Sequence, residues 1–314
     1  MIVAVTPSDK DPSQTQEMEY LLKSCESNNI TMNIIGSGTF TWLNRIKWFQ
    51  EFLLTQSLDT IVCFTDAYDV FYLDNLETIR QKFLAFGSKI VWSAEKDYAH
   101  QIMSDKPFYD SLSTSPYRYL NGGTFIGYAN ALLELFNDVL ASLDKPEFIQ
   151  DLIANDYPLD KRGNDQTWIS HHLALNWKYD IRMDYDCRIF YVTSMDVQNI
   201  RDHIDTNLQL VNGSRPSIIH VPFKAEYKHI LVELFTYKYG GYIGYFPEDT
   251  EYSHGYKFFK NGKAITPFGW GGYIFKNHTR AELHVRNHIF QIHLIQDLSL
   301  MVRTEGYEAH ALRL

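Results

Sequence analysis

Two carboxylates three residues apart, Asp66 and Asp69, follow at once on the apolar run Ile61-Val-Cys-Phe64. An apolar run of that length, bounded by polar residues, predicts a strand covered on both faces. Open α/β sheets bind ligands just beyond the carboxyl ends of such strands. Carboxylates placed there are costly to desolvate unless something positive lies between them. Oxygen ligands suit magnesium and manganese, so a hard divalent cation carrying a diphosphate is the chemistry that fits this spacing. The D-x-x-D pattern alone serves as well for one Asp that caps a turn and one that pairs with a Lys. Its place at the end of a buried strand tips the reading toward a metal.

Three other groups bear on that chemistry. His220 ends the run Ser217-Ile-Ile-His220, again at a strand's carboxyl end. Imidazole joins carboxylates around manganese-like ions, although a His after an apolar run is more often structural. Lys224, four residues on, carries the charge to neutralise a β-phosphate. Asn121-Gly122-Gly123 offers backbone that a sugar or phosphate can approach closely, or an ordinary turn. Asn164-Asp165-Gln166 opens a helical pattern. Its carboxylate either holds sugar hydroxyls and stabilises charge at an anomeric carbon or belongs to a helix cap. A competing motif, His203-Ile204-Asp205, matches the first two ligands of a non-haem iron triad. It precedes a polar loop rather than lying in a strand pattern, and too little chain follows it for an oxygenase barrel.

The elements that must position these residues alternate in type. Strand patterns fall at 2–5, 31–35, 60–65 and 89–92, and helical patterns at 14–27, 42–54 and 76–86. In the second helix Ile46, Phe49 and Leu53 share one face. Strands separated by helices imply a parallel sheet. From Ala94 to Arg118 the periodicity fails. A loop that long in a compact domain is usually functional, and a lid over the site is expected. Helices at 129–142 and 165–176 and a strand at 217–221 follow. Near residue 225 the composition turns to aromatics, glycine and β-branched residues. Lys260-Asn-Gly-Lys263 signals a hairpin, and short strands are expected at 269–275, 281–285 and 289–294. The reading is an α/β domain over 1–225 and a β-rich unit over 226–314 packed on it.

The 314 residues suffice for one large domain or two ordinary ones. A net charge of −9 argues against nucleic acid as a partner. No run of 18 apolar residues exists, so no membrane span is expected. The start MIVAVTPSDK carries no signal-peptide pattern, which points to the cytoplasm. Cys25, Cys63 and Cys187 are odd in number and far apart, with no metal or redox spacing. They read as reduced thiols. The sequons at Asn29, Asn212 and Asn277 read as chance matches in such a chain.

Six ordered blocks carry a resemblance: FTDAYDV, SAE at 93–95, RYLNGGTFIGYA at 118–129, NDQ at 164–166, DYDCRIF at 184–190 and IIHVPFK at 218–224. Residues 1–225 resemble the glycosyltransferase domain of the procollagen lysyl hydroxylase/glucosyltransferases. The resemblance implies a GT-A (Rossmann-like) fold, UDP-glucose as donor and Mn2+ as cofactor. It implies retaining transfer of glucose to the 2-hydroxyl of galactose on galactosyl-hydroxylysine of a collagen-like polypeptide. By position, Asp66, Asp69 and His220 look like the metal ligands and Lys224 a diphosphate contact. Thr6 lies where the first strand meets uracil, and Arg45 matches a basic residue near the donor. Asp165, with Asn164, falls in the catalytic region, Asn121, Gly122 and Gly123 in the donor region, and Glu95 and Gln166 on the acceptor and lid side. The same fold with a UDP-galactose donor, another sugar acceptor, or a non-catalytic carbohydrate-binding role stays open. The tail reads equally as a dimer interface, an acceptor platform or a brace.

Overall fold

The computed structural model describes residues 1–10, 18–36, 38–99, 101–154, 164–193, 209–210, 212–222 and the eight tail strands between 250 and 311. A six-stranded sheet holds β1 (Ile2–Pro7), β2 (Met32–Ile35), β3 (Ile61–Thr65), β5 (Ile90–Glu95), β6 (Tyr119–Tyr128) and β7 (Ile181–Asp184) in the order β2-β1-β3-β6-β5-β7. A second sheet joins β4 (Val70–Tyr72), β8 (Phe190–Val192) and β9 (Ile218–His220) in the order β4-β9-β8. All five residues of β3 are buried, as an apolar run covered on both faces should be.

The sheet is mixed rather than parallel. β1, β2 and β3 pair in parallel, as do β5 and β7, but β6 runs antiparallel to both β3 and β5. The reason lies in the link from β5 to β6. A parallel pair needs a crossover over the sheet face, whereas this link leaves and re-enters the same edge. The stretch expected to be a loop is packed there: α4 (Lys106–Leu112) follows a 3-10 turn at Met103–Asp105. The Tyr109 hydroxyl donates to the Ser170 carbonyl at 2.8 Å, and Asp105 Oδ2 lies 2.8 Å from His171 Nδ1. Those anchors make the segment a fixed wall. A helix of two turns with one buried residue, Tyr109, is too short to show periodicity.

The core forms where α2 (Trp42–Leu54) and α5 (Ala129–Ser142) cover the sheet. Thr41 caps α2 by accepting the Asn44 N–H at 3.0 Å. Phe49 then meets Phe64, Phe125 and Phe136 edge-on at 5.1–5.4 Å, and Trp92 stacks on Phe125 at 4.2 Å. Such aromatic pairs add about 0.5–1.5 kcal/mol each beyond the area they bury. The one polar residue of α2 in this interior is Arg45, in its first turn. Also present are α1 (Glu19–Ser27), α3 (Leu76–Leu84), α6 (Pro146–Ala154) and α7 (Asp165–Leu175). No helix among the described residues is long and apolar enough to cross a membrane. All three cysteines are free and buried.

The tail is an eight-stranded antiparallel meander, β10 (Thr250–Tyr252), β11 (Tyr256–Phe258), β12 (Lys263–Thr266), β13 (Gly269–Asn277), β14 (Arg280–Val285), β15 (His288–Leu294), β16 (Leu300–Thr304) and β17 (Tyr307–Ala311). Phe258 pairs with Ala264 on either side of the expected hairpin, whose residues 259–262 lie outside the described set. The expected boundary at 225 and the motif at 203–205 also lie outside it. The Tyr20 hydroxyl of α1 donates to Glu282 Oε2 of β14 at 2.6 Å, which ties this sheet to the helix.

One buried network gives a pH prediction. His172 of α7 lies 2.9 Å from the Ser142 hydroxyl and 2.7 Å from the Tyr179 hydroxyl, which donates to Asp138 at 2.7 Å. Burial pulls its pKa down to about 4, against the pull of Asp138. A base with a depressed folded-state pKa stabilises the fold fully above its ordinary value of 6.5. That contribution, at most about 3 kcal/mol, is lost as pH falls from 6.5 toward 4. Urea unfolding across that window should show His172→Gln losing this part of the slope; an unchanged slope would exclude His172 as its source.

Candidate metal centre and its surroundings

Two strand pairings deliver the acidic residues and the imidazole to one point. Asp66 leaves β3 with its N–H donated to the Gly123 carbonyl of β6 at 2.8 Å. Asp69 leads into β4, whose Val70 lies opposite His220, and the Val221 N–H donates to the Asp69 carbonyl at 2.8 Å. One potential ligand atom each from Asp66, Asp69 and His220 lies within 4.8 Å of the others. His220 Nε2 is 3.6 Å from Asp66 Oδ2 and 3.4 Å from Asp69 Oδ1.

The tautomer of His220 follows from its other nitrogen. Nδ1 lies 2.9 Å from Asn121 Oδ1. That oxygen also accepts the Gly123 N–H at 3.0 Å, while Asn121 Nδ2 donates to Glu95 Oε1 at 3.2 Å. The amide is thus fixed with its oxygen toward the ring, which assigns a proton to Nδ1 and leaves Nε2 as the nitrogen facing the carboxylates. Nε2 is buried and, among the described residues, meets no hydrogen-bond geometry; what it faces are the Asp69 and Asp66 carboxylates, 3.4 and 3.6 Å away. An imidazole nitrogen and two carboxylate oxygens form a donor set that fits manganese-like ions.

Behind the cluster sits Arg45. Its Nη2 donates to Asp66 Oδ1 and, at 3.2 Å, to the Gly122 carbonyl; Nη1 pairs with Asp165 Oδ2 at 2.9 Å. The planar fork holds two carboxylates at once, a geometry Lys lacks. It engages one oxygen of Asp66 and leaves Oδ2 facing His220. Three carboxylates against one guanidinium leave two formal negative charges, the complement of one divalent cation. Burial and the Asp69 carboxylate push the Asp66 carboxyl up, and Arg45 and His220 pull it back.

The remaining candidates fall into place around this core. Gly123 is glycine because a Cβ there would stand 2.2 Å from His220 Cε1 and 2.7 Å from Asp66 Oδ2. A Cβ on Gly122 would meet Gln166 Cβ at 2.8 Å. Both glycines lie inside β6, not in a turn. Gln166 is saturated: Oε1 accepts the Gly122 N–H at 2.7 Å, and Nε2 donates to Glu95 at 2.9 Å and to the Ala99 carbonyl at 2.8 Å. Glu95 and Gln166, expected on the acceptor and lid side, are buried beside the metal cluster, where Glu95 accepts from Asn121 and Gln166 bonds Glu95 and the Gly122 N–H. Burial pushes the Glu95 carboxyl up to about 8, against the pull of Asn121, Gln166 and His220. Asn164 is the N-cap of α7, its Oδ1 accepting the Thr167 N–H at 2.9 Å in a capping box. Asp165 Oδ1 accepts the Gln166 N–H at 3.0 Å, and Oδ2 faces Arg45.

Thr6, next to last in β1, is fully buried, with its hydroxyl unpartnered among the described residues. Nearby it is Tyr68 that offers partly exposed ring surface. Its hydroxyl lies 3.0 Å from Ser8 Oγ, and Lys10 Nζ stands 5.5 Å from its ring centroid. Sequence reasoning passed over Tyr68, although an aromatic between the two aspartates was the available signal. Lys224 lies outside the described residues.

Residues 3–237 match the family described as PLOD GT domain. Procollagen-lysine,2-oxoglutarate 5-dioxygenase of Drosophila melanogaster is 41% identical over 171 residues, 52% of this chain and 21% of that protein. The human multifunctional procollagen lysine hydroxylase and glycosyltransferase LH3 is 25% identical over 135 residues, 39% of this chain and 18% of that one. The chain thus spans about a fifth of the length of these curated relatives. Among solved structures, a glycosyltransferase involved in glycosylation of the major capsid of PBCV-1 aligns over 74% of this chain and 98% of its own, at 9% identity and TM-score 0.42. Mouse xyloside xylosyltransferase 1 aligns over 70% and 84%, at 13% identity and TM-score 0.39.

Proposed function

The chain belongs to the PLOD GT domain family, and from that premise we propose that it transfers glucose from UDP-glucose to the 2-hydroxyl of galactose on galactosyl-hydroxylysine of a collagen-like polypeptide, with retention and with Mn2+. That it is a glycosyltransferase follows from the family; donor, acceptor, stereochemistry and metal are the proposal. The observation that carries it is the convergence of ligand atoms of Asp66, Asp69 and His220 within 4.8 Å of one another.

In this reading Asp66, Asp69 and His220 hold the cation, which when bound withdraws charge from the leaving nucleoside diphosphate. Asn121 sets the imidazole tautomer, and conserving such outer partners is what keeps ligand geometry. Arg45 fixes Asp66 and balances Asp165. Tyr68, beside the end of β1, offers its ring to the base. Both Asp165 oxygens are engaged and the side chain is 6% exposed. That supports a same-face transfer, in which the leaving β-phosphate oxygen takes the acceptor proton, over a covalent Asp165 intermediate. The tail is read as a brace, on the strength of the Tyr20–Glu282 bond.

The test is UDP release with Mn2+ from UDP-glucose and from UDP-galactose, each with and without galactosyl-hydroxylysine. Acceptor-stimulated release from UDP-glucose, abolished by chelator, is the expected result. A preference for UDP-galactose, or indifference to the acceptor, would sink the proposed substrates. No release from either donor would leave a carbohydrate-binding role.

A further inference from the structure

We propose that a cleft of about 830 Å³ beside the carboxyl ends of β5 and β7 is the acceptor subsite, taking the sugar of a glycosylated polypeptide. The proposal deepens the transferase reading and rests on it for the word acceptor. The position and lining of the cleft are argued separately from that reading.

Position comes first. The cleft is walled by Lys96, the residue after Glu95, and by Tyr185 and Asp186, just past the end of β7. β5 and β7 are parallel, so both ends open on the edge where β3 presents Asp66. The strand order places β1 and Tyr68 on one side of β3 and β5 and β7 on the other. From β3 to β5 is two strand spacings and to β7 three, about 10–14 Å. A donor sugar held at the metal would then face its acceptor across β6, with the base on the far side.

Composition comes second. The Thr114 and Tyr185 hydroxyls and the Asp186 carboxylate make no side-chain hydrogen bond among the described residues. Lys96 Nζ engages the Tyr117 ring, at 5.3 Å from its centroid. One cation, one anion, free hydroxyls and two tyrosine rings suit a neutral polyhydroxy ligand with an apolar face. A phosphate would need more positive charge, and a lipid a wall without these groups. The volume falls within the range of about 300–1,000 Å³ usual for ligand sites, which leaves room for a hexose and the side chain bearing it.

Rigidity comes third. Ser115 Oγ donates to the Tyr185 carbonyl at 2.8 Å and accepts the Tyr117 N–H at 3.1 Å, while the Ser115 N–H donates to Ser113 Oγ at 3.0 Å. These bonds fix the wall before a ligand arrives, which lowers the ordering cost of binding.

The experiment fills the cleft with Thr114→Trp, at an exposed position with no side-chain partner, and removes one hydroxyl with Tyr185→Phe. Binding of galactosyl-hydroxylysine, with plain hydroxylysine as control, is read by ligand-observed NMR, and transfer by UDP release with and without acceptor. Thr114→Trp should weaken glycoside binding and raise the acceptor KM about tenfold or more, the equivalent of about 1.4 kcal/mol. Acceptor-free UDP release should stay at the wild-type level. Tyr185→Phe should move the same two quantities by a smaller factor. Unchanged binding and KM would overturn the proposal. So would equal binding of the two probes, because the amino acid and not the sugar would then be recognised, or no binding by the wild type. If the wild type releases no UDP yet binds the glycoside and Thr114→Trp abolishes that binding, the transferase reading falls and the saccharide site stands.

Discussion

Gly123→Ala is expected to reduce metal-dependent UDP release about 100-fold or more, although glycine contributes no ligand atom. The added Cβ would stand 2.2 Å from His220 Cε1, 2.7 Å from His220 Nδ1 and 2.7 Å from Asp66 Oδ2. No side chain accepts a carbon at those distances, so the ring, the carboxylate or β6 must move. The ring cannot swing freely, since Nδ1 is held by Asn121 and β9 is buried against β4 and β8. Moving two metal ligands by about 1 Å is enough to cost about 100-fold in rate. Gly127→Ala separates this from general damage to β6. Its Cβ would be tight, 3.0–3.1 Å from the Lys89 carbonyl, Ile90 and Leu132, but touches nothing at the metal cluster. Both variants should lose stability, and only Gly123→Ala should lose the rise in melting temperature on adding Mn2+. Retention of that rise in Gly123→Ala would falsify the assignment of Asp66 and His220 as ligands.

The contrast between those two glycines shows what the sequence could reveal. A run such as Ile61–Thr65 declares itself as a buried strand, and two carboxylates at its end declare a site, because both signals are local. Helices Trp42–Leu54 and Ala129–Ser142 were legible for the same reason, each being long enough for several turns of periodicity. Pairing is not local. Nothing near Asn121-Gly122-Gly123 says that β6 runs antiparallel, or that its glycines exist to admit His220 and Gln166. Glu95 looked like a lid residue because it falls in the aperiodic stretch from Ala94 to Arg118. Its burial depends on Asn121 and Gln166, which the chain supplies much later. α6 did carry a signal that went unused: Pro146 at the helix start, with Phe148 and Leu152 four apart and buried. The strands β4, β7 and β8 are three or four residues long, too short to outweigh their surroundings, yet the pairing of β4 with β9 makes the metal cluster.

Arg45 should show the largest effect on stability. In Arg45→Met the side chain keeps its length and its packing near Phe64, while Asp66 and Asp165 lose the charge between them. Removing one partner of a buried ion pair costs about 3–5 kcal/mol, because the remaining charge is left uncompensated. Arg45→Lys should recover only part of this, since an ammonium cannot hold both carboxylates in one plane. The double variant Arg45→Met/Asp165→Asn removes one of the stranded charges. If the geometry is right, it is more stable than Arg45→Met alone, with a coupling of about 0.5–3 kcal/mol in urea unfolding. Additive losses would mean that Asp165 is not what Arg45 compensates. Asp165→Asn alone then divides the two transfer mechanisms. An amide keeps the shape and the hydrogen bond to the Gln166 N–H, but it is no nucleophile. A covalent intermediate on Asp165 requires that variant to be inactive. A positioning role, held through Arg45, requires measurable acceptor-dependent release with the metal response intact, and the ion pair already made by Asp165 Oδ2 argues for that second result.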